Sequence, residues 1–499
     1  MPANLLCLHS RDNVAVALSD LPAGATVALP GGPSLTLRDA LPFGHKVALT
    51  AIPLGGPVVK YGETIGQATQ PIVPGDHVHV HNLNSARAQL DTPFQPSNPQ
   101  PLVPQRPPAP PIPASSSLIS AYLRPDGRVG VRNHLLILPS VFCAAVAAQR
   151  IAEAVPGAIV LPHPYGCAQF DIDRVADTLT GIGTHPNVGA VLVVGLGCEM
   201  LQAGELAARL AERGQTAEAL SIQQEGGTLK TVARGCELAQ KLAAHLAEQR
   251  RQPLPLSQLV LATECGSSDA TSGLAANPVI GEVADRVIAG GGTVILSETA
   301  ELMGAEHILA RRAVDARVGR HLVDIVAAVE KEVLRQGIDL RGMQPAPGNI
   351  AGGLTTIEEK SLGCIHKAGT SPLQGVLAYA EPPPGTGLYV MDAPGHDSES
   401  VTAMVAGGAQ AVIFSTGRGT PLGAPVSPTI KITANPRTAG HMAGDMDFSA
   451  AGVILGETSV QEAGEALWAL LLRVLEGQET AAEIMGYREL AITRTAPSV

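Results

Sequence analysis

The chain has 499 residues and a mass of 51.2 kDa, enough for roughly three domains of ordinary size. Hydrophobic residues make up 45% of it and charged residues 16%, so the bulk of the chain does not belong to the disordered class. Its 45 acidic and 34 basic side chains give a net charge of −11, and only 3% of residues are aromatic. Both features argue against a nucleic-acid partner and leave an ordinary soluble protein.

The sequence contains no apolar run near the roughly 18 residues that a membrane-spanning helix needs. The first residues also lack a basic segment followed by an apolar one, the pattern of a secretory signal. We therefore expect a cytoplasmic protein with no membrane partner. Seven cysteines in a chain of this length do not form a disulfide framework, and in a reducing compartment they indicate metal or redox chemistry instead.

The first 90 residues predict a small all-β domain, because short apolar runs alternate with turn sequences such as PGG, PLGGP and VPGD. The predicted strands are Val14–Leu18, Thr26–Leu29, Lys46–Ala51, Val58–Lys60 and His77–His81. Ten prolines lie between Pro93 and Pro113, so residues 91–117 are predicted to form an extended linker.

Beyond the linker, β-branched runs alternate with Ala- and Leu-rich stretches, a pattern typical of a parallel α/β fold. We divide this part into a first α/β region, 118–345, and a C-terminal α/β region, 346–499. The predicted strands are Leu135–Leu138, Ile159–Leu161, Val191–Val194, Leu259–Ala262, Thr293–Leu296, Leu388–Met391, Ala411–Phe414 and Thr429–Ile432. A helix is predicted over Ala463–Leu475. The glycine-rich stretch 348–370 shows no clear period and is predicted to be a connecting loop or an insertion.

Chemically active side chains follow these strands, at the edge of the sheet where open α/β folds bind ligands. Four of the seven cysteines do so, namely Cys143, Cys167, Cys198 and Cys265. A single buried cysteine is usually a small hydrophobic residue, but four at such positions favour a metal or redox role. Thiolate, imidazole and carboxylate together suit iron or zinc better than magnesium, and the spacing is not that of a zinc ribbon.

Two further patterns allow more than one interpretation. The segment containing Arg418, STGRGT, is either a tight turn at a strand end or a backbone nest whose guanidinium holds a carboxylate. In GDHVHVHN, the alternation places His77, His79 and His81 on one face of a strand. These imidazoles form either a surface cluster or, as we favour, a metal or acid/base site. The second interpretation requires the module to fold over the catalytic crevice of the same chain or of a partner.

Several long motifs, in order along nearly the whole chain, resemble the altronate and galactarate dehydratase family of sugar-acid hydro-lyases. They are KYGETIG, HVHN, RPDGRVGVRN, YGC, LGCE, ECGSSDATSGLAANP, SET, GNIAGGLTTIEEKSLG, TGRGTP and PTIK. The resemblance implies an N-terminal SAF domain with a β-clip fold, a Rossmann-like parallel α/β catalytic part, and a homodimer. Ser267 departs from the family, which commonly has a second glycine there, and Cys364 is less characteristic of the family than the other motif cysteines.

The resemblance also implies an iron-dependent β-elimination of water that converts a sugar acid, altronate first, into a 2-keto-3-deoxy acid. Such a reaction needs a base for the proton α to the carboxylate, a cation or hydrogen-bond donors for the anion, and an acid for the departing hydroxyl. We expect either a mononuclear Fe(II) or an iron–sulfur cluster on three thiolates.

The residues expected to perform these roles are as follows. The iron ligands are Cys167, Cys198, Cys265 and Glu298, the catalytic residues are His79, His81, Lys60 and Lys431, and the substrate-binding residues are Arg418, Asn82, Asp269 and Asn435. Asp269 is also an alternative oxygen ligand of the iron.

Other functions stay open at this point. Related proteins eliminate sulfite from sulfolactate, and galactarate is a second candidate sugar acid. A non-catalytic sensor of sugar acids or metal is the alternative from another class, but the sequence has no DNA-reading element that would give such a sensor its usual output.

Overall fold

A computed structural model describes residues 4–29, 34–87, 118–339 and 343–496 of the chain. The predicted linker, 91–117, lies outside the described residues. None of the helices within these ranges is long and apolar enough to cross a membrane.

The N-terminal module is built of short, mostly antiparallel strands, as predicted. They pair in the orders β1-β2-β5-β8, β6-β7-β9 and β3-β4. The strands are β1 (Leu5–Leu6), β2 (Val14–Ala17), β3 (Thr26–Ala28), β4 (Ser34–Thr36), β5 (Lys46–Ala48), β6 (Pro57–Lys60), β7 (Glu63–Ala68), β8 (His77–Val78) and β9 (Leu83–Asn84).

The histidine-rich strand is shorter than predicted, ending at Val78 and not at His81. Asn82 closes a turn there, because its side-chain oxygen accepts from the His79 amide at 2.9 Å and its side-chain nitrogen donates to the His77 carbonyl at 3.0 Å. An asparagine that bonds to backbone groups in this way competes with the β-ladder.

The second part of the chain forms a four-stranded parallel sheet in the order β13-β12-β14-β15 and a three-stranded antiparallel sheet in the order β11-β10-β16. The strands are β10 (Leu118–Leu123), β11 (Val129–Gly130), β12 (His134–Pro139), β13 (Ala158–Val160), β14 (Val188–Gly195), β15 (Ala217–Ser221) and β16 (Gln252–Pro255). The helices are α1 (Ala145–Ala154), α2 (Ile172–Gly183), α3 (Ala203–Glu212) and α4 (Thr228–Glu248), with 3₁₀ turns at Phe142–Ala144 and Leu256–Gln258.

The third part is a seven-stranded parallel sheet in the order β19-β20-β18-β17-β21-β22-β23, which takes strands from both sides of residue 345. The strands are β17 (Val260–Gly266), β18 (Thr293–Leu296), β19 (Leu373–Leu377), β20 (Gly387–Met391), β21 (Ala411–Thr416), β22 (Thr429–Thr433) and β23 (Phe448–Ser449). The two parallel sheets confirm the predicted α/β class.

Helices flank this sheet. They are α5 (Asn277–Ala289), α6 (Glu306–Arg311), α7 (Ala316–Arg335), α8 (Pro347–Ala351), α9 (Ile357–Cys364), α10 (Asp397–Ala406), α11 (Pro436–His441), α12 (Ala451–Ile454), α13 (Val460–Leu475) and α14 (Ala481–Met485). A π-helical turn spans Ser272–Ala276, and 3₁₀ turns span Thr299–Leu302 and Ile365–Ala368.

The glycine-rich stretch 348–370 is largely helical, so the expectation of a connecting loop was wrong. Every residue of α9 is buried, so the helix has no solvent face and its sequence lacks the polar–apolar period by which helices are usually predicted. The N-terminal module packs on this part of the fold, because Val14 and Ile65 share one apolar core with Ile280 and Leu467.

Candidate active site

Three imidazoles of the N-terminal module lie together. His45 precedes β5 and His77 begins β8; Val47 is opposite His77 in the ladder, which brings the two rings side by side. Nδ1 of His45 lies 3.0 Å from Nε2 of His77, and the ring centroids of His45 and His79 are 4.7 Å apart. Burial lowers the pKa of His77 to about 4 and that of His79 to about 3, so both rings are neutral at pH 7.

This cluster has the donor set of a transition-metal site. The ligand atoms of His45, His77 and His79 lie within 4.8 Å of one another. Nδ1 of His79 is buried and, among the described residues, has no hydrogen-bond partner. Neutral imidazole is a common ligand of iron and zinc. The three residues therefore fit a bound Fe(II).

A pocket of about 280 Å³ adjoins the imidazoles. Gly44, next to His45 in the chain, forms part of its wall, as does Ala351, whose carbonyl oxygen lies 3.4 Å from His45 Nε2. The other residues lining it are Phe43, Asp269, Thr271, Gly352, Arg418, Asn435, Arg437 and Thr438. The pocket is close in size to typical small-molecule sites and brings two guanidiniums to one cavity.

Asp269 is the single carboxylate among the described residues that line this pocket. One of its oxygens accepts from the Thr271 amide and hydroxyl at 2.8 and 2.6 Å, and the other accepts from the Asn435 side-chain nitrogen at 2.8 Å. Burial raises the pKa of Asp269 above its ordinary value in spite of these bonds. Its carboxylate is therefore both fixed in position and more basic than usual.

A buried carboxylate joins the N-terminal module to the catalytic part. Glu359 of α9 accepts from the ammonium groups of Lys46 at 2.9 Å and Lys60 at 2.8 Å, and all three side chains are at most 1% exposed. Although burial opposes it, the two lysines hold the pKa of Glu359 well below its usual range. A single carboxylate can fully compensate only one of the two ammonium groups. Burial therefore lowers the pKa of Lys46 to about 8, whereas Glu359 keeps the pKa of Lys60 above its ordinary value in spite of burial.

A second buried cluster surrounds Cys265, at the end of β17. Its sulfur lies 3.7 Å from the sulfur of Cys364, 3.7 Å from Glu298 and 3.5 Å from Glu301. The donor atoms of these four residues also lie within 4.8 Å of one another. This site fits a metal less well, because each carboxylate already has an ammonium partner: Lys367 pairs with Glu298, and Lys360 with Glu301 at 2.7 Å.

The protonation states of the groups around Cys265 also disfavour a bound metal. The neighbouring Cys364 and burial together raise the pKa of the Cys265 thiol, and burial raises that of Glu298. Metal ligands must be deprotonated, so a cation would have to displace protons as well as ammonium groups here. A cavity that could hold about one water molecule lies beside both this cluster and Asp269 of the pocket, since Cys265 and Asp269 line it.

Comparison with known proteins identifies the family. The profile "D-galactarate/Altronate dehydratase, C-terminal" matches residues 256–498, "D-galactarate dehydratase/Altronate hydrolase, second domain" matches 121–247, and "Altronate/galactarate dehydratase SAF domain" matches 3–86. Altronate dehydratase of Escherichia coli (strain K12) is 38% identical over 502 residues, which cover 98% of each chain. The chain belongs to the altronate/galactarate dehydratase family. Dehydratases are hydro-lyases, and the chain is an enzyme of this class.

Two further relatives differ in the reaction their names give. Galactarate dehydratase (L-threo-forming) of E. coli is 34% identical over 98% of this chain and 96% of its own length. The (2R)-sulfolactate sulfo-lyase subunit beta of Chromohalobacter salexigens is 40% identical over 75% of this chain and 96% of its own length. The family thus includes eliminations of both water and sulfite.

The structure gathers only part of the predicted site. Arg418, Asp269 and Asn435 line the pocket, and His79 lies in the imidazole cluster beside it. His81 is exposed, with its ring 5.5 Å from that of His77.

Three other predicted residues have partners within the protein. Asn82 holds the turn around His79. Lys60 is buried against Glu359. Lys431 donates to the Pro421 carbonyl at 2.7 Å, and neither lysine is among the residues lining the pocket.

The predicted iron ligands separate into two places. Cys265 and Glu298 share the buried cluster, whereas Cys167 and Cys198 are exposed on loops of the four-stranded sheet and are not in either close donor group of the described residues. Sequence reasoning missed His45, Arg437, Glu359 and Cys364. A lysine inside an apolar strand, as in GHKVAL, was the one available sign that a buried anion lies nearby.

Proposed function

We propose that this member of the family dehydrates altronate to its 2-keto-3-deoxy acid in the pocket between the N-terminal module and the seven-stranded sheet. The observation that carries the proposal is one cavity that combines two guanidiniums and a buried basic carboxylate, and whose wall includes Gly44, next to His45 of the cluster of three neutral imidazoles. Those groups match what the elimination needs: an anchor for the substrate carboxylate, a base and a Lewis-acid site.

The substrate carboxylate binds to Arg418 and Arg437. A guanidinium offers a planar pair of donors to a carboxylate, and both side chains line the pocket. Their existing bonds leave donors free: the Arg418 Nη1 donates to the Gly348 carbonyl at 3.0 Å, and the Arg437 Nη2 pairs with Asp20 at the surface. The arginines fix the carbon next to the carboxylate inside the cavity.

Asp269 takes the proton from that carbon. Its raised pKa makes it a stronger base than an ordinary aspartate, and its bonds to Thr271 and Asn435 hold the carboxylate in one orientation. The electron pair of the broken C–H bond forms the C–C double bond of an enol. The β-carbon–oxygen bond breaks, the departing hydroxide takes up the proton that Asp269 holds and leaves as water, and the enol tautomerises to the 2-keto acid.

Iron would be held by His45, His77 and His79, which burial keeps neutral, and the unpartnered Nδ1 of His79 would supply one of the lone pairs. When bound there, it would supply a Lewis acid for the departing hydroxyl. In this arrangement His79 is a ligand and not the proton acceptor.

The test is anaerobic turnover after iron loading, with 2-keto acid followed on altronate and galactarate and sulfite followed on sulfolactate. We expect keto acid from altronate, loss of turnover in D269N with iron retained, and loss of bound iron in H45A. The exposed His321, on α7, gives a matched control: H321A keeps both iron and rate. Turnover of D269N at the wild-type rate, or full iron in H45A, would overturn the assignment.

A substrate with two anionic groups is the second candidate, because two guanidiniums line the same pocket. Galactarate has two carboxylates, and sulfolactate has a carboxylate and a sulfonate, which leaves as sulfite. Higher kcat/KM on either of them than on altronate would replace the substrate but leave the site assignment intact. Residence in the cytoplasm and a homodimer stay predictions, which fractionation and sedimentation would measure.

A further inference from the structure

A second cavity lies between the N-terminal module and the helices α6, α9 and α13. Its volume is about 360 Å³, which is within the range of small-molecule sites. Much of its wall is aliphatic, formed by Leu8, Leu274, Ile308, Leu362, Ile365 and Val460. Among the described residues, none lines both this cavity and the substrate pocket. The cavity is therefore a separate place in the fold.

One wall of this cavity is aromatic and held in position. The ring centroids of Tyr61 and His366 are 5.8 Å apart. The Lys60 ammonium lies 4.8 Å from the centre of the tyrosine ring and is itself paired with Glu359. Gly273 allows the tyrosine to approach closely, because a Cβ at this position would lie 2.5 Å from the Tyr61 hydroxyl oxygen. The aromatic wall is thus preformed, which favours binding of an apolar group.

Arg312, directly after α6, brings a guanidinium to this apolar cavity. Its Nη2 donates to the Ser371 carbonyl at 2.6 Å and to the Ala368 carbonyl at 3.5 Å. Its Nε is buried and, among the described residues, has no hydrogen-bond partner. Burial lowers the pKa of Arg312 to about 10, as expected for a cation whose charge is poorly compensated.

The carboxylate that acts on this guanidinium, Asp285, is engaged elsewhere. It accepts from the amides and hydroxyls of Thr370 and Ser371 at 2.7–3.0 Å. No carboxylate in the part of the chain that the structure describes forms an ion pair with Arg312. A buried cation without a counter-charge is costly, and an anion in the cavity would remove that cost.

The other charged group of the cavity does not favour a zwitterion. Glu63 is the single carboxylate among the described residues that line it. This carboxylate already lies 3.7 Å from Arg11 and 3.9 Å from His307, and the neighbouring His307 lowers the pKa of Glu63. An amine would have to compete with both of these groups, whereas a carboxylate finds a guanidinium without an anionic partner.

We propose that this cavity binds an amphipathic monocarboxylate, with the carboxylate on the guanidinium of Arg312 and the apolar chain against the aliphatic and aromatic walls. A guanidinium and a carboxylate match in charge and in geometry. Sugar acids do not fit this site, because their hydroxyl groups would lie against aliphatic side chains without hydrogen-bond partners. The inference goes beyond the proposed dehydration and does not depend on it.

The test is equilibrium dialysis of the full chain with labelled octanoate, with and without added iron. We expect one octanoate per chain in both preparations, so failure of the proposed iron site is distinguishable from failure of this one. Along the series from butanoate to octanoate, each methylene should strengthen binding about fourfold, because it buries further apolar surface. Excess altronate should leave the octanoate affinity unchanged.

Two substitutions locate the ligand. R312M should weaken octanoate binding about 10- to 100-fold, because it removes a charge-assisted bond. V460W keeps the guanidinium but places an indole in the cavity, and should weaken binding at least as much. The exposed Arg317 and Val314 provide matched controls, and R317M and V314W should bind octanoate as the wild type does. Circular dichroism will show which variants are folded.

The charge of the competitor gives the remaining outcome. Octylamine and 1-octanol have the same apolar chain without the carboxylate, and neither should displace octanoate at matched concentration. Displacement by either of them or by altronate would overturn the proposal. Wild-type affinity in both R312M and V460W, or no binding of any member of the series, would overturn it as well.

Discussion

Removing the charge of Glu359 should destabilise the docking of the N-terminal module on the catalytic part. Its carboxylate is the common partner of Lys46 and Lys60, with both ion pairs at 2.8–2.9 Å and fully buried. In E359Q the shape is kept and the charge is lost, which leaves two ammonium groups in a dry interior. Breaking a buried ion pair in this way costs about 3–5 kcal/mol.

The loss of unfolding free energy in E359Q should correspond to one uncompensated ammonium and not two. Burial already lowers the pKa of Lys46 to about 8, so in E359Q this lysine sheds its proton first. Lys60, whose pKa Glu359 now keeps above normal, is left with the larger penalty. Replacing all three residues by apolar ones of similar size should restore much of the stability, because it removes every buried charge.

Urea unfolding of the metal-free protein, followed by circular dichroism, measures this change. The matched control is E332Q, which removes an exposed carboxylate paired with the exposed Arg335 on α7 and should leave the transition where it is. A loss of less than ~1 kcal/mol in E359Q would refute the reasoning, because so small a value is typical of a solvated ion pair.

Three other outcomes follow from the site. R418M should raise KM about 10- to 100-fold in steady-state kinetics, because it removes a charge-assisted bond worth about 1.5–3 kcal/mol, and an unchanged KM would exclude the carboxylate clamp. K367M leaves Glu298 buried without its ammonium and should lower the thermal midpoint; an unaltered midpoint would contradict the pairing. The metal-free protein should lose stability as pH falls from about 6.5 to about 4, because in the unfolded chain His77 and His79 bind protons that burial denies them in the folded protein. Thermal melts over this range should show a thermal midpoint that depends less on pH in H79Q than in the wild type.

The sequence predicts the fold class well because each strand of the parallel sheets is a continuous buried run. The strand over Thr293–Leu296 has the predicted bounds, and the helix predicted over Ala463–Leu475 begins only three residues earlier, at Val460. That helix has an apolar face and begins after Ser459, whose side chain and that of Glu462 cap each other.

The site was harder to predict, for two physical reasons. Helix α9 supplies Glu359 and Cys364, but burial on all its sides erases the periodicity that would have revealed it. His45 comes near His77, 32 residues further along the chain, through the pairing of two strands, and a single histidine before an apolar run gives no sign of such a contact. Asp269 and Arg418 were predicted because both directly follow strands at the binding edge.

The position of the imidazoles along the chain affects how the enzyme matures. His45, His77 and His79 all lie in the first 79 of 499 residues, so a ribosome completes the proposed iron ligands before it has made most of the protein. The guanidiniums of the pocket, Arg418 and Arg437, are among the last 82 residues. A nascent module that folds early as a unit would therefore take up its metal during translation, on the order of tens of seconds before the two guanidiniums are made, at about 5–20 residues per second.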